Sequence, residues 1–313
     1  GIIITPLEDL KVATDYFLTL SAIENAPGFE TGFEEVQFRT CEGYSVLRIA
    51  GACHGYTVGS NINHWNLAAD NQYGTVLGHE FSLVVPEAEA KWDYLQPSEQ
   101  TYDFDALDTI HQFSLDNEQI TKGHALIWHS SIPSFVTSSS DAGTLTTAQL
   151  KTWMDTFIIT TLERYRGKIL QWDVVNEAFN DDGTYRDTLF FQMLGADFIP
   201  DAFTFANTVD PTLKLLYNDY GIETVNAKSD ALYSLAKQMI ESSIPIHGIG
   251  MQMHLVASAP IDFESMQENI QRFGDLGLEV QVSEMDVQIA GLSGTTEENL
   301  QTQKELYRKG VGT

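Results

Sequence analysis

Acidic, imidazole, amide and indole side chains gather in this sequence where short β-branched runs end. In chain order they are Glu87, Lys91 and Trp92; His124, Trp128 and His129; Asn176 and Glu177; Asn218 and Asp219; Gln252 and His254; Glu284 and Asp286. If the runs are parallel strands of one barrel, their C-terminal ends share a face, and such folds build their active sites there. Glu177 and Glu284 then suit cleavage of a glycosidic bond with retention. One carboxyl group protonates the leaving oxygen, while a second, roughly 5 to 5.5 Å away, attacks the anomeric carbon. Strands four and seven lie across a barrel mouth from each other, so residues far apart in sequence can face one bond. Asn176, beside Glu177, could hydrogen-bond the sugar 2-hydroxyl, a contact that strengthens in the transition state.

Other chemistries fit these residues less well. An ion-pair role for Glu177 or Glu284 lacks a cation, since no Lys or Arg sits within VVNEA or VSEMDV. His124, His129 and His254 could line a zinc site, but no HExxH or close His-x-His pair accompanies them; the reading is of no metal and no cofactor. Trp92 and Trp153 suit a core. Trp128, between two strand-end histidines, is the better platform for a sugar ring. Glu87 and Lys91 could also form a local i,i+4 pair if their turn is helical.

The elements that must hold these residues alternate between strand and helix from residue 56 onward. Strands are expected over residues 56–62, 81–86, 120–129, 169–176, 213–219, 247–254 and 278–286, bounded by turn residues. Helices are expected over 146–166, 226–242 and 262–276, where apolar residues recur at three-and-four spacing behind polar starts. This predicts an α/β chain, a (β/α)8 TIM barrel. A doubly wound sheet would carry a glycine-rich phosphate turn after its first strand, and Gly55 and Gly59 make none. Residues 1–40 read as an N-terminal extension with a helical stretch over 7–25 and a loop over 26–35. Residues 41–313 read as the catalytic barrel domain.

A chain of 313 residues with 9 Pro, 23 Gly and ample apolar content is long enough for one large barrel, and its composition excludes disorder. The formal charge of −27 repels polyanions, which argues against nucleic acid and anionic membranes as partners. The N-terminus has no basic segment ahead of its short apolar run, and no stretch approaches a membrane span. The chain is therefore read as a mature or trimmed form. If residues 43–53 form a helix, its rise of about 1.5 Å per residue sets the two cysteines, Cys41 and Cys53, too far apart to bridge.

Six segments in order, VVPEAEAKWD (84–93), GHALIWHSSIPSFV (123–136), WDVVNEAFNDDG (172–183), LYNDYGIE (216–223), GIGMQMHL (248–255) and VSEMDV (282–287), resemble glycoside hydrolase family 10 endo-β-1,4-xylanases. The resemblance runs from about residue 42 to 311. It implies a secreted retaining glycosidase, with xylan or xylo-oligosaccharides as partner, Glu177 as general acid/base and Glu284 as nucleophile. It further implies that His254 hydrogen-bonds Glu284 and that Glu87, Lys91, His124 and Trp128 hold the glycone sugars. Gln252 would lie near the same sugars, and Tyr220 would stack on the aglycone side. Ala88 and Ser131 stand where the family has Asn and Gln, which motivates β-glucan as an alternative substrate for the same mechanism. The family's eighth strand, with its Trp-Gly turn, is not evident after helix seven. That gap motivates a second alternative, a xylan-binding protein without turnover. A strand outside this sequence, or Gly1 to Thr5, would have to close the barrel.

Overall fold

A computed structural model describes residues 15–20, 34–39 and 46–311. Seven parallel strands carry the fold: β1 (Gly59–Ile62), β2 (Leu83–Pro86), β3 (Gly123–Trp128), β4 (Gln171–Asn176), β5 (Lys214–Asp219), β6 (Gly248–Met251) and β7 (Glu279–Val282). A short strand, Ile120–Thr121, leads into β3 and pairs with β2, and the Lys122 N–H continues that ladder to the Val84 carbonyl at 3.0 Å. β1, β2 and that short strand form one ladder and β3 to β7 another, and within each ladder neighbours are neighbours in sequence. The alternation of parallel strands with helices is that of a (β/α)8 barrel. Among the described residues β7 is followed by the short strand Asp286–Gln288, which pairs only with His254–Val256, and then by the helix Thr296–Val311; no further strand joins β7 in its sheet.

The central strands are buried along nearly their whole length, as expected of parallel strands covered on both faces. The two outermost are not: Val282 on β7 is 46% exposed. Helices Thr147–Arg164, Ala227–Glu241 and Phe263–Asp275 lie where apolar periodicity places them. Thr146, Asn226 and Asp262 cap them by accepting backbone N–H groups of the first turn. Trp92 and Trp172 are wholly buried in the core these helices form with the sheet, and Trp92 stacks on Phe157 at 5.2 Å.

Three sequence expectations change. The runs 247–254 and 278–286 each divide. After β6 the chain passes Met253 in a left-handed conformation, φ 61°, its N–H held by Glu223 Oε1 at 2.9 Å. It then forms a separate strand, His254–Val256, paired in parallel with Asp286–Gln288. Within the expected helix 7–25, Asp15–Leu20 is instead a strand, paired antiparallel with Glu34–Arg39. Over six residues rich in aromatic and β-branched side chains, periodicity cannot separate the two, and cross-strand pairing decides. Third, Cys53 is disulfide-bonded. The helix that it ends starts only at Leu47, behind an extended Val46, so the expected helical spacer is too short to hold the cysteines apart. Cys41, like Gly1 to Thr5, lies outside the described residues.

Candidate active site

Glu177 leaves the end of β4 with φ 59°, a left-handed conformation that costs a non-glycine residue about 1 to 3 kcal/mol. Its backbone is held from three sides. The Glu177 N–H donates to the Asn218 carbonyl at 3.0 Å, and the Glu177 carbonyl accepts from Arg186 Nε at 3.1 Å. The next N–H, of Ala178, donates to the Tyr217 hydroxyl at 2.8 Å. Tyr217 passes its own proton to Asp219 Oδ2 at 2.8 Å. Thus aimed, the Glu177 carboxylate accepts from Asn176 Nδ2 at 3.2 Å and from Gln252 Nε2 at 3.1 Å.

Glu284 follows β7. Its Oε1 accepts from Asn218 Nδ2 at 2.8 Å, and its Oε2 lies 3.4 Å from His254 Nε2. The other nitrogen of that imidazole bonds Asp286, fixing the ring. Asn218 Nδ2 also donates to Asn176 Oδ1 at 3.0 Å, and Asn218 Oδ1 accepts from Ser283 Oγ at 2.6 Å. An unbroken run of hydrogen bonds therefore joins Glu177 to Asn176, Asn218 and Glu284. The run needs Gly250 on β6, because a Cβ there would stand 2.2 Å from Asn218 Oδ1. Asn218 is fully buried and the Glu284 side chain is 33% exposed, so a rigid floor carries a solvent-facing carboxylate.

On the expected glycone side, Glu87 accepts from Asn63 Nδ2 at 3.1 Å. The Lys91 ammonium lies 4.5 Å above the Trp128 ring. Burial pulls the Lys91 pKa down, against the pull of Glu284, Asp93, Glu87 and Glu177 in that order. His124 Nδ1 donates to Asp173 Oδ2 at 2.9 Å, and Lys122 pairs with Asp173 Oδ1 at 2.9 Å. Burial of Asp173 would raise its pKa, but Lys122 and His124 outweigh it and hold the carboxyl below its ordinary value. On the opposite side Tyr220 accepts from Arg186 Nη2 at 2.8 Å, and Lys228 Nζ sits 3.5 Å from the ring. Two cations therefore sit against Tyr220, Lys228 over the ring and the Arg186 guanidinium 5.7 Å from its centroid. Lys228 pairs with Asp219 at 2.9 Å, yet burial still raises the Asp219 pKa to about 6.

The Gln252 amide bonds Glu177 at 3.1 Å and Asn176 at 3.3 Å, beside the amide expected to meet the sugar 2-hydroxyl. Lys122, Asp173, Tyr217 and Arg186 enter the site without having been singled out, and Asn218, named only among the strand-end residues, bridges the two carboxylates. Asp173 carried a signal, a lone charge inside the apolar run WDVV. Among the described residues no group of three or more His, Cys, Asp or Glu side chains is placed to hold a metal ion.

A parallel barrel whose C-terminal face carries two carboxylates on a shared amide floor is the frame of a glycoside hydrolase. The chain belongs to glycosyl hydrolase family 10, whose sequence profile matches residues 47–312. It is 35% identical over 255 residues to endo-1,4-beta-xylanase B of Thermotoga neapolitana, covering 82% of this chain and 71% of that one. To an endo-1,4-beta-xylanase of Agaricus bisporus it is 36% identical over 242 residues, 76% of this chain and 70% of the other. Among solved structures it resembles xylanase 10B of Thermotoga maritima, with TM-score 0.80 and 34% identity over 84% of this chain and 80% of that one. Xylanase 10B of Thermotoga petrophila RKU-1 in complex with xylobiose gives TM-score 0.81 and 33% identity over 86% and 81%.

Proposed function

We propose that this chain is a retaining endo-1,4-β-xylanase, with Glu177 as general acid/base and Glu284 as nucleophile. The observation that carries the reading is the joining of both carboxylates through Asn176 and Asn218 at the ends of β4, β5 and β7. Glu284 Oε attacks the anomeric carbon and the glycosidic C–O bond breaks. The leaving oxygen takes the proton of Glu177. Glu177, now a carboxylate, draws a proton from water, whose oxygen attacks the same carbon, releasing the Glu284 carboxylate and regenerating protonated Glu177. His254 and Asn218 steady the Glu284 charge, which is lost on attack and restored on release.

Glu87, Lys91, His124 and Trp128 serve the glycone sugars, and Tyr220 serves the aglycone. Xylan and xylo-oligosaccharides, neutral backbones, suit a protein of charge −27. Ala88 and Ser131 leave the glycone side without two amides of the family pattern. Comparing reducing-sugar release from xylan and from mixed-linkage β-glucan measures how strictly xylose is demanded. We place the protein outside the cell, and the disulfide at Cys53 supports that setting; activity found only in the cell lysate of the source organism would contradict it.

The deciding experiment is a pair of variants. Glu284→Ala should lose turnover of every substrate while folding normally. Glu177→Ala should keep activity on aryl xylosides with good leaving groups and gain from added azide. Near-normal activity in Glu284→Ala, or equal losses on aryl xyloside and xylan without azide rescue in Glu177→Ala, would reject the assignment.

A further inference from the structure

We propose that Trp65 is the platform of a distal sugar position on the glycone side, taking a further β-1,4-linked pyranose beyond those at Glu87 and Lys91. The proposal rests on the reading of the site as a xylan cleft. Nothing in the mechanism uses Trp65, yet it is the most exposed of the large hydrophobic side chains at the C-terminal ends of the strands, at 68%. It follows β1 directly, on the short helix His64–Ala69. That places it on the face of the barrel where the carboxylates stand.

Its mount is rigid and runs back into the site. The Asn63 side chain accepts from the Trp65 N–H at 2.9 Å and from the Asn66 N–H at 3.2 Å, and it donates to Glu87 Oε2 at 3.1 Å. The Glu87 N–H donates to the Ile62 carbonyl at 2.9 Å, so Asn63 and Glu87 leave adjacent strands at the same height. One amide thus fixes both the backbone of Trp65 and the carboxylate expected to hold a glycone sugar. Beside the indole stands the His64 ring, with centroids 4.4 Å apart. His64 is anchored in turn, because its backbone N–H and its Nδ1 each bond the buried Glu89 at 2.8 Å.

An indole carried into water on a fixed backbone, with the His64 ring beside it, offers a flat apolar face for binding. The C–H face of a pyranose fits it. The ligand is neutral, because the net charge of the molecule opposes anionic ones. Continuity with Glu87 makes it the next sugar of the same chain rather than a separate one.

The test compares kcat/KM on xylopentaose with kcat/KM on 4-nitrophenyl β-xylobioside, whose glycone is too short to reach a distal position. In Trp65→Ala the ratio of the two should fall about ten-fold, the loss of one ring stacking contact, and Trp65→Tyr should restore most of it. Trp65→Gln should repeat the fall, and circular dichroism melts check that each variant is folded. An unchanged ratio in folded Trp65→Ala and Trp65→Gln overturns the platform. A wild-type protein that cleaves neither substrate overturns the xylanase reading itself, a distinct result.

Discussion

The Asn218 amide donates to Glu284 Oε1 at 2.8 Å while the same nitrogen reaches Asn176 Oδ1 at 3.0 Å, so one buried nitrogen on β5 sets the proposed nucleophile against the residue that precedes the proposed acid/base. Removing it should cost position as well as charge stabilisation. Asn218→Ala is expected to lower kcat about 10²-fold on xylan. Formation of the glycosyl-enzyme, read as the burst of an activated aryl xylobioside, should slow by a similar factor. Gly250→Ala, which drives a Cβ against Asn218 Oδ1, should resemble it. A burst at the wild-type rate in both variants would show that the amide is only structural.

Tyr217 acts through the backbone of its neighbour. Its hydroxyl accepts the Ala178 N–H and secures the left-handed turn that aims Glu177. Tyr217→Phe should lower kcat on xylan about ten-fold, by misplacing a general acid whose full effect is about 10²- to 10⁴-fold. It should change much less the burst on a dinitrophenyl xylobioside, whose leaving group needs no proton. Equal losses on the two substrates would assign Tyr217 to stability alone.

Lys122, Asp173 and His124 form a buried ion-pair cluster under the expected glycone site. Lys122→Met leaves Asp173 charged and short of its cation, at a cost of about 3 to 5 kcal/mol. Urea denaturation at pH 7 should show this as a lower midpoint with unchanged slope. The Asp173 pKa is lower folded than unfolded, so the cluster's contribution is present above the ordinary carboxylate value and is lost as pH falls through the folded one. A midpoint within error of wild type would mean that the site relaxes to admit water.

Asp219 has the opposite sign. Its folded pKa is raised to about 6 from an ordinary 3.8, so the folded state holds a proton that the unfolded state has released between those values. Its contribution to stability is therefore fully present below pH about 4 and declines as pH rises toward 6. Asp219→Asn should flatten the change in melting temperature between pH 4 and 6, while lowering stability generally because Lys228 loses its partner. An identical pH slope in the variant would assign the titration to another group.

The strands and their polar ends were legible because β4 and β5 are continuous apolar runs that stop at Asn-Glu and Asn-Asp. Helix 147–164 was legible from its Thr146 cap and its periodicity. The pairing of Asp15–Leu20 was not, since six residues give both periods equal support and the partner strand lies beyond a long loop. Nor could spacing show that Gln252 turns to Glu177 or that Asn218 bridges to Glu284. Those contacts depend on how strands four, five, six and seven are set side by side. The left-handed turn at Glu177 is equally silent in sequence, because its three backbone partners come from residues 186, 217 and 218.

Because every strand after β1 pairs with an earlier neighbour in the chain, β3 through its lead-in Ile120–Thr121, every new βα unit finds its template already made. Loop closure is then short at each step, and the sheet can grow in the direction of synthesis as the ribosome extends the chain. The two proposed catalytic carboxylates belong to the middle and the end of that process. Glu177 is in place once β4 and β5 have paired, whereas Glu284 arrives with β7. A nascent chain that ends before β7 thus carries Glu177 and the expected glycone residues but lacks the carboxylate proposed to form the glycosyl-enzyme.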